Sequence, residues 1–182
     1  MKIVIGLTGK IGAGKSSVAK YISKNYNASE HRFSQILMDI LDRLYLPHKR
    51  EYLQSLGACL RKIREDVIVE AFKKDLEKDK SEIIVIDGIR YPNEVKMLRS
   101  FEKNVLICIE APVELRYERC KKRKEKEETR LTFEEFLKNE EAETEKRIEE
   151  ICKEADFIIN NDSTLEELFK KVDEIMELIA QK

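Results

Sequence analysis

The chain has 182 residues, with 35 Lys and Arg against 36 Asp and Glu and a net charge near −1. That balance gives no global attraction to nucleic acid or to an anionic membrane, so phosphate binding must come from local clusters. At this length, with 42% hydrophobic residues, a single compact domain over 1–182 with a sizeable core is expected.

The first residues, MKIVIGLTG, form too short an apolar run for a signal peptide. No stretch approaches the roughly 18 apolar residues of a membrane span, and a cytoplasmic location is expected. Residues 2–7 (KIVIGL) read as a buried strand, followed by the glycine loop GKIGAGKSS and a helix over 14–25. A weaker strand candidate lies near Ala28–Phe33. Residues 51–78 carry Leu53, Leu56, Leu60, Ile63, Val67 and Phe72 at helical spacing. Three further β-branched runs, at 82–87, 104–110 and 156–160, read as strands covered on both faces, and residues 164–180 read as a closing amphipathic helix. Capping-box patterns at Thr132–Glu135 and Ser163–Glu166 predict helix starts. Segment 121–150 is dominated by Lys, Arg and Glu with a thin apolar face, the composition of a solvated excursion or a moving lid. Cys59, Cys108, Cys120 and Cys152 show no metal spacing and are expected to be reduced thiols. His31 and His48 read as isolated loop or surface residues. The strand–helix alternation predicts a parallel α/β sheet with right-handed crossovers.

The stretch Gly9-x-x-x-x-Gly14-Lys15-Ser16 satisfies the phosphate-loop pattern, with a strand before it and a helix after it. Glycines let the loop curl so that backbone N–H groups converge on phosphate oxygens, and the helix N-terminus adds its positive end. Gly9, Lys10, Ile11, Gly12, Ala13, Gly14, Lys15, Ser16 and Ser17 are therefore the candidate donor-binding residues. Lys15 would reach the β- and γ-phosphates, and Ser16 would ligate Mg²⁺.

Asp87 ends the apolar strand IIVID, where a Walker-B-type carboxylate would hold Mg²⁺. In a parallel sheet the carboxyl ends of the strands line the ligand crevice, so Asp87 and the glycine loop should converge. Arg90, three residues on, is placed to contact a phosphate. In the basic segment Arg116, Arg119, Lys122, Arg123 and Arg130 are candidates to cover a transferring phosphoryl group. Arg119 and Arg123 are favoured as catalytic because they share a face at i, i+4.

Together these parts resemble the P-loop nucleoside and nucleotide kinase superfamily, over most of the chain. GKIGAGKSSVA, the stretch from FSQIL to REYLQSLGACLR (33–61) and RYPNE are similar to deoxynucleoside monophosphate kinase-like proteins. GLTGKIGAGKS and the ending ADFIINND are equally similar to dephospho-CoA kinases, and IDGIR with RYER resembles an archaeal group related to both. The resemblance implies a three-layer P-loop NTPase fold: a five-stranded parallel sheet flanked by helices, a substrate region about 30–65 and a helical lid about 120–140. It implies ATP and Mg²⁺ as cofactors, Asn160, Asn161 and Asp162 beside the donor adenine, and Arg50, Gln54, Arg61 and Arg90 on the acceptor. Asn160–Asp162 read equally as a helix cap.

A monophosphate acceptor brings its own ionised nucleophile, whereas the ribose hydroxyl of dephospho-CoA benefits from a carboxylate base. Dephospho-CoA kinases carry that Asp at the end of the second strand, but NASEHRFSQ (27–35) offers only Glu30. The monophosphate kinase branch in turn often places its acidic residue two positions before the Arg, where Asp87 is three before Arg90. The expectation is a Mg·ATP-dependent phosphotransferase acting on a (deoxy)nucleoside monophosphate. Dephospho-CoA kinase is the alternative, and a nucleotide-gated binding or assembly factor is the alternative of another class. A signalling GTPase is disfavoured by the lack of an N-K-x-D motif.

Overall fold

The computed structural model describes residues 2–124, 132–140 and 143–181, with the side chains of Arg50, 123–124, 139–140 and 143–146 outside that description. Five strands form one parallel sheet in the order β2-β3-β1-β4-β5: β1 (Ile3–Thr8), β2 (Ser29–His31), β3 (Ile83–Asp87), β4 (Lys103–Glu110) and β5 (Phe157–Asn160). The β-branched runs of β1, β3 and β4 are covered on both faces, whereas β5 at the sheet edge leaves Ile158 55% exposed, contrary to the expectation for 156–160. Ile5, Leu7, Val85, Ile107 and Ile109 pack against α1 (Lys15–Asn25) and α9 (Leu165–Ala180). Val4, Ile84, Ile86 and Leu106 face α2 (Phe33–Arg43), α4 (Val67–Lys78) and α5 (Pro92–Arg99) on the other side.

The long helix expected over 51–78 is two helices, α3 (Arg50–Ile63) and α4. Arg64 turns extended, and Ile63 is 79% exposed rather than part of a continuous apolar face. The break carries neither Gly nor Pro. It lets Leu53, Leu56 and Leu60 of one helix and Phe72 and Leu76 of the next pack into the same core from two directions.

Between β4 and β5 lie α6 (Val113–Lys124), α7 (Phe133–Glu140) and α8 (Glu143–Lys153). The thin apolar face read for this region is thicker than the composition suggests: Phe136, Ile148 and Ile151 are buried. The Thr132 cap forms, with Thr132 N–H donating to Glu135 at 2.7 Å and Glu135 N–H to the Thr132 hydroxyl at 3.2 Å. The second cap sits one residue later than expected: Thr164 Oγ1 accepts from Glu167 N–H at 3.3 Å. Two expectations for isolated side chains also change. His31 lies on β2 and meets Asp79 at 2.6 Å, and Cys108 and Cys152 form a disulfide instead of remaining reduced. Cys59 and Cys120 lie outside that bond. Among the described residues no helix is long and apolar enough to cross a membrane.

Candidate active site

The glycine loop runs from the carboxyl end of β1 into α1. Gly14 has φ 112°, and a Cβ there would come within 2.5 Å of the Asn161 amide, so both conformation and space require glycine. Lys15 is buried, and its ammonium donates to the carbonyls of Gly9 (2.6 Å) and Lys10 (3.0 Å), inside the loop it is expected to serve. Ser17 N–H closes the first turn of α1 on Gly14 O at 3.0 Å. Lys10 pairs with Glu149 of α8 at 2.5 Å, and Ile11 is exposed.

Asp87 stands beside the loop because β3 and β1 are neighbours in register, Leu7 opposite Asp87. Ile89 N–H donates to Leu7 O at 2.8 Å, and the Thr8 hydroxyl donates to Ile89 O at 2.9 Å, locking the turn after β3 onto β1. Ser16 Oγ donates to Asp87 Oδ2 at 2.8 Å. Two hard oxygen donors from separate elements thus converge, a donor set suited to Mg²⁺.

A residue that sequence reading passed over shares that carboxylate. Arg32, immediately after β2, places Nη2 3.3 Å from Asp87 Oδ2 and also bonds Glu30, with Nε 3.1 Å from Oε1. The available signal was its position at the carboxyl edge of a parallel strand, where ligand-contacting residues gather. A search of this stretch for a carboxylate alone misses it.

Lys15, Ser16, Arg32, Gln54, Arg61, Asp87 and Arg90 line one cleft of about 460 Å³, floored by Leu37, Leu53 and Ile68. Arg61 lies over the Tyr91 ring at 5.4 Å, and Arg147 of α8 lies over the same ring at 5.7 Å. Glu94 is 5% exposed and accepts from the backbone N–H of Arg90 (2.7 Å) and Tyr91 (3.2 Å), which sets the start of α5. Burial pushes its carboxyl up to about 7, against those two hydrogen bonds and the charges of Arg90 and Arg61. The side chain of Arg50, at the first position of α3, lies outside the described residues.

The basic segment divides. Arg116 is buried, and its guanidinium donates to Ala111 O (3.0 Å) and Ile11 O (3.3 Å) and lies over Phe136, so it braces the loop instead of covering a phosphoryl group. Arg119 donates to Asn161 O at 3.0 Å and Oδ1 at 3.3 Å, away from the cleft that holds Ser16 and Asp87. Burial pulls its pKa down, and its Nη1 is buried without a hydrogen-bond partner among the described residues. The Arg123 side chain and all of Arg130 lie outside the described residues, and Lys122 is exposed on α6. Asn161 is buried and ties its Nδ2 to Ala13 O at 2.7 Å; Thr164 is the cap of α9, so Asn161 belongs to the phosphate loop and not to a helix start. Asn160 and Asp162 border a second cleft behind the loop. The curled loop and the Ser16–Asp87 oxygens are features that fit a bound Mg-nucleotide.

The sequence profile of the AAA domain family matches residues 5–146. A UPF0200 protein of Sulfurisphaera tokodaii is 34% identical over 179 residues, 97% of each chain. The chain belongs to the AAA domain family and to the UPF0200 family. A UPF0200 protein of Methanocaldococcus jannaschii is 32% identical over 188 residues, spanning 97% of this chain and 90% of that one. In fold, this UPF0200 chain is similar to shikimate kinase from Aquifex aeolicus, with a TM-score of 0.63 at 20% identity and 98% and 99% of the two chains covered. Shikimate kinase from Acinetobacter baumannii, solved with shikimate, gives a TM-score of 0.64 at 16% identity, covering 100% and 94%. The UPF0200 fold is therefore that of the P-loop kinases, a five-stranded parallel sheet between helices.

Proposed function

We propose that the protein is a Mg·ATP-dependent phosphotransferase whose acceptor is a small anionic, nucleotide-like molecule, best matched by a (deoxy)nucleoside monophosphate. The observation that supports this reading is the sharing of one cleft by two sets of groups. Lys15, Ser16 and Asp87 line it together with Arg32, Arg61 and Arg90, and Arg32 reaches Asp87 itself.

Under this reading the loop N–H groups and Lys15 hold the β- and γ-phosphates, and Ser16 and Asp87 hold Mg²⁺. Mg·ATP supplies a γ-phosphoryl group with part of its charge already neutralised. Arg61 and Arg90 orient the acceptor phosphate, and the aliphatic floor at Leu37, Leu53 and Ile68 takes its apolar body. Asn161 and Arg119 brace the donor side of the loop. A monophosphate acceptor arrives ionised, so positioning and charge neutralisation suffice. The group at the end of β2 is a guanidinium, and the neighbouring carboxylate of Glu30 is already bonded to it, which favours an anionic acceptor over a hydroxyl that needs a base.

A coupled ADP-release assay over the nucleoside monophosphates, dephospho-CoA and shikimate tests this reading. ADP formation should depend on a monophosphate and fall by about 10²–10³-fold in both Lys15→Ala and Asp87→Asn. Acceptor-independent, slow ADP release across the whole panel would refute it and favour a nucleotide-gated binding factor instead.

A further inference from the structure

Neither the loop nor the acceptor cleft uses the bond between Cys108 and Cys152. It joins β4 to α8 across a sequence separation of 44, so α6 and α7 lie within the covalent ring. Both cysteines are buried, Cys108 at 0% and Cys152 at 7% exposure, but Cys152 borders the second cleft, about 490 Å³, together with Gly9, Lys10 and Glu149. A small thiol entering that cleft therefore meets Cys152 first.

Three neighbours of Cys152 on α8 reach the surroundings of the candidate site. Glu149 pairs with Lys10 in the phosphate loop, Arg147 lies over Tyr91 at the acceptor cleft, and Ile148 clusters with the two cysteines. The other end of the bond is equally close to the loop: a Cβ on Gly9 would collide with the carbonyl oxygen of Ile109, next to Cys108. The disulfide thus fixes a helix that touches both the phosphate loop and the acceptor side.

We propose that Cys108 and Cys152 form a reversibly oxidised dithiol site whose state sets how firmly α8 and the phosphate loop are held. In the disulfide form α8 is bolted to β4, Glu149 stays on Lys10, and the loop is pre-organised for polyphosphate, so less ordering has to be offset on binding. Oxidation uses a low-molecular-weight disulfide, RSSR. The Cys152 thiolate attacks one sulfur and expels RS⁻, and the Cys108 thiolate then attacks Cys152 Sγ in the mixed disulfide and expels the second RS⁻. The two thiol protons end on the two RS⁻ groups, giving one protein disulfide and two RSH; a small thiol reverses both steps. Glu110 places a carboxylate oxygen within 4.8 Å of both sulfurs. The nucleotide part of this proposal rests on the function proposed above; the α8 part does not.

The experiment compares the full chain after cystamine and after dithiothreitol, with circular dichroism confirming that both forms stay folded. Alkylation and mass spectrometry should find Cys108 and Cys152 protected after cystamine and labelled after dithiothreitol. Reduction should speed amide hydrogen exchange in 143–153 and 9–17 and weaken Mg·ADP binding by about 5-fold or more, and cystamine should restore both. Cys152→Ser should behave as the reduced form under either treatment. Equal exchange in the two states, or labelling of both cysteines after cystamine, overturns the proposal. An exchange response without an affinity response also overturns its nucleotide arm if Mg·ADP binds. If Mg·ADP binds in neither state while exchange responds, the clamp stands and the nucleotide reading fails.

Discussion

Replacing Asn161 by Ala removes the tie between the β5–α9 connection and the phosphate loop. The amide donates to Ala13 O at 2.7 Å and accepts from Arg119 at 3.3 Å, and the residue is 4% exposed. With a methyl group in its place the buried Ala13 has lost the donor to its carbonyl. Leaving one buried acceptor unmade costs about 1–3 kcal/mol. Arg119 keeps its bond to the Asn161 backbone oxygen, which a side-chain substitution does not touch, so its loss is the smaller one. The total destabilisation expected is about 2–3 kcal/mol, a fall in Tm of about 4–12 °C for a chain of this size. The loop should pay twice, because its shape is no longer enforced when nucleotide arrives. The measurements are thermal unfolding by circular dichroism and titration of Mg·ADP in the same buffer. An unchanged Tm together with unchanged ADP affinity would refute the claim that Asn161 holds the loop.

Glu94 gives a pH dependence with a definite sign. Its folded pKa, about 7, lies above the ordinary value of 4.5, so its contribution to stability is fully present below pH 4.5 and is lost as pH rises to about 7. The loss amounts to about 3 kcal/mol. Glu94→Gln keeps an oxygen for the Arg90 and Tyr91 N–H groups and cannot ionise. Urea denaturation should therefore show the wild type weakening between pH 5 and pH 7.5 and the variant staying flat; parallel curves would disprove the assignment. Arg32→Gln should lower Tm only slightly, because Arg32 is 41% exposed and Asp87 keeps its hydrogen bond from Ser16. The same variant should raise the acceptor KM by about 10- to 150-fold, the loss of one charge-assisted hydrogen bond, with a much smaller change in the KM for ATP. Equal changes in both constants would place Arg32 outside acceptor binding.

Short-range chemistry is legible along the chain. Four strands announce themselves as short β-branched runs, whereas β2 is polar, half-buried and only weakly signalled; the phosphate loop is legible because its curl needs glycines at set spacing between a strand and a helix. The Thr132 cap is local in the same sense, since both partners lie within four residues. Asp87 was legible for a related reason: the end of an apolar strand is a position that sequence reveals, and a parallel sheet brings such ends together.

The tertiary structure decided which ends meet. Arg32 reaches Asp87 only because β2 lies beside β3, an adjacency that no window of the sequence contains. Arg116 and Arg119 look alike on one basic helix, yet burial against Ala111, Ile11 and Asn161 turns the first into a brace and leaves the second with an unpaired nitrogen. The break between α3 and α4 has no local breaker; it follows from the need to fill one core from two directions. Cys108 and Cys152 carry no motif, and their bond depends on α8 crossing β4. Periodicity and turn chemistry act over a few residues and can be read in order, whereas pairing across the sheet depends on strand order and helix docking, which exist only once the whole core has packed.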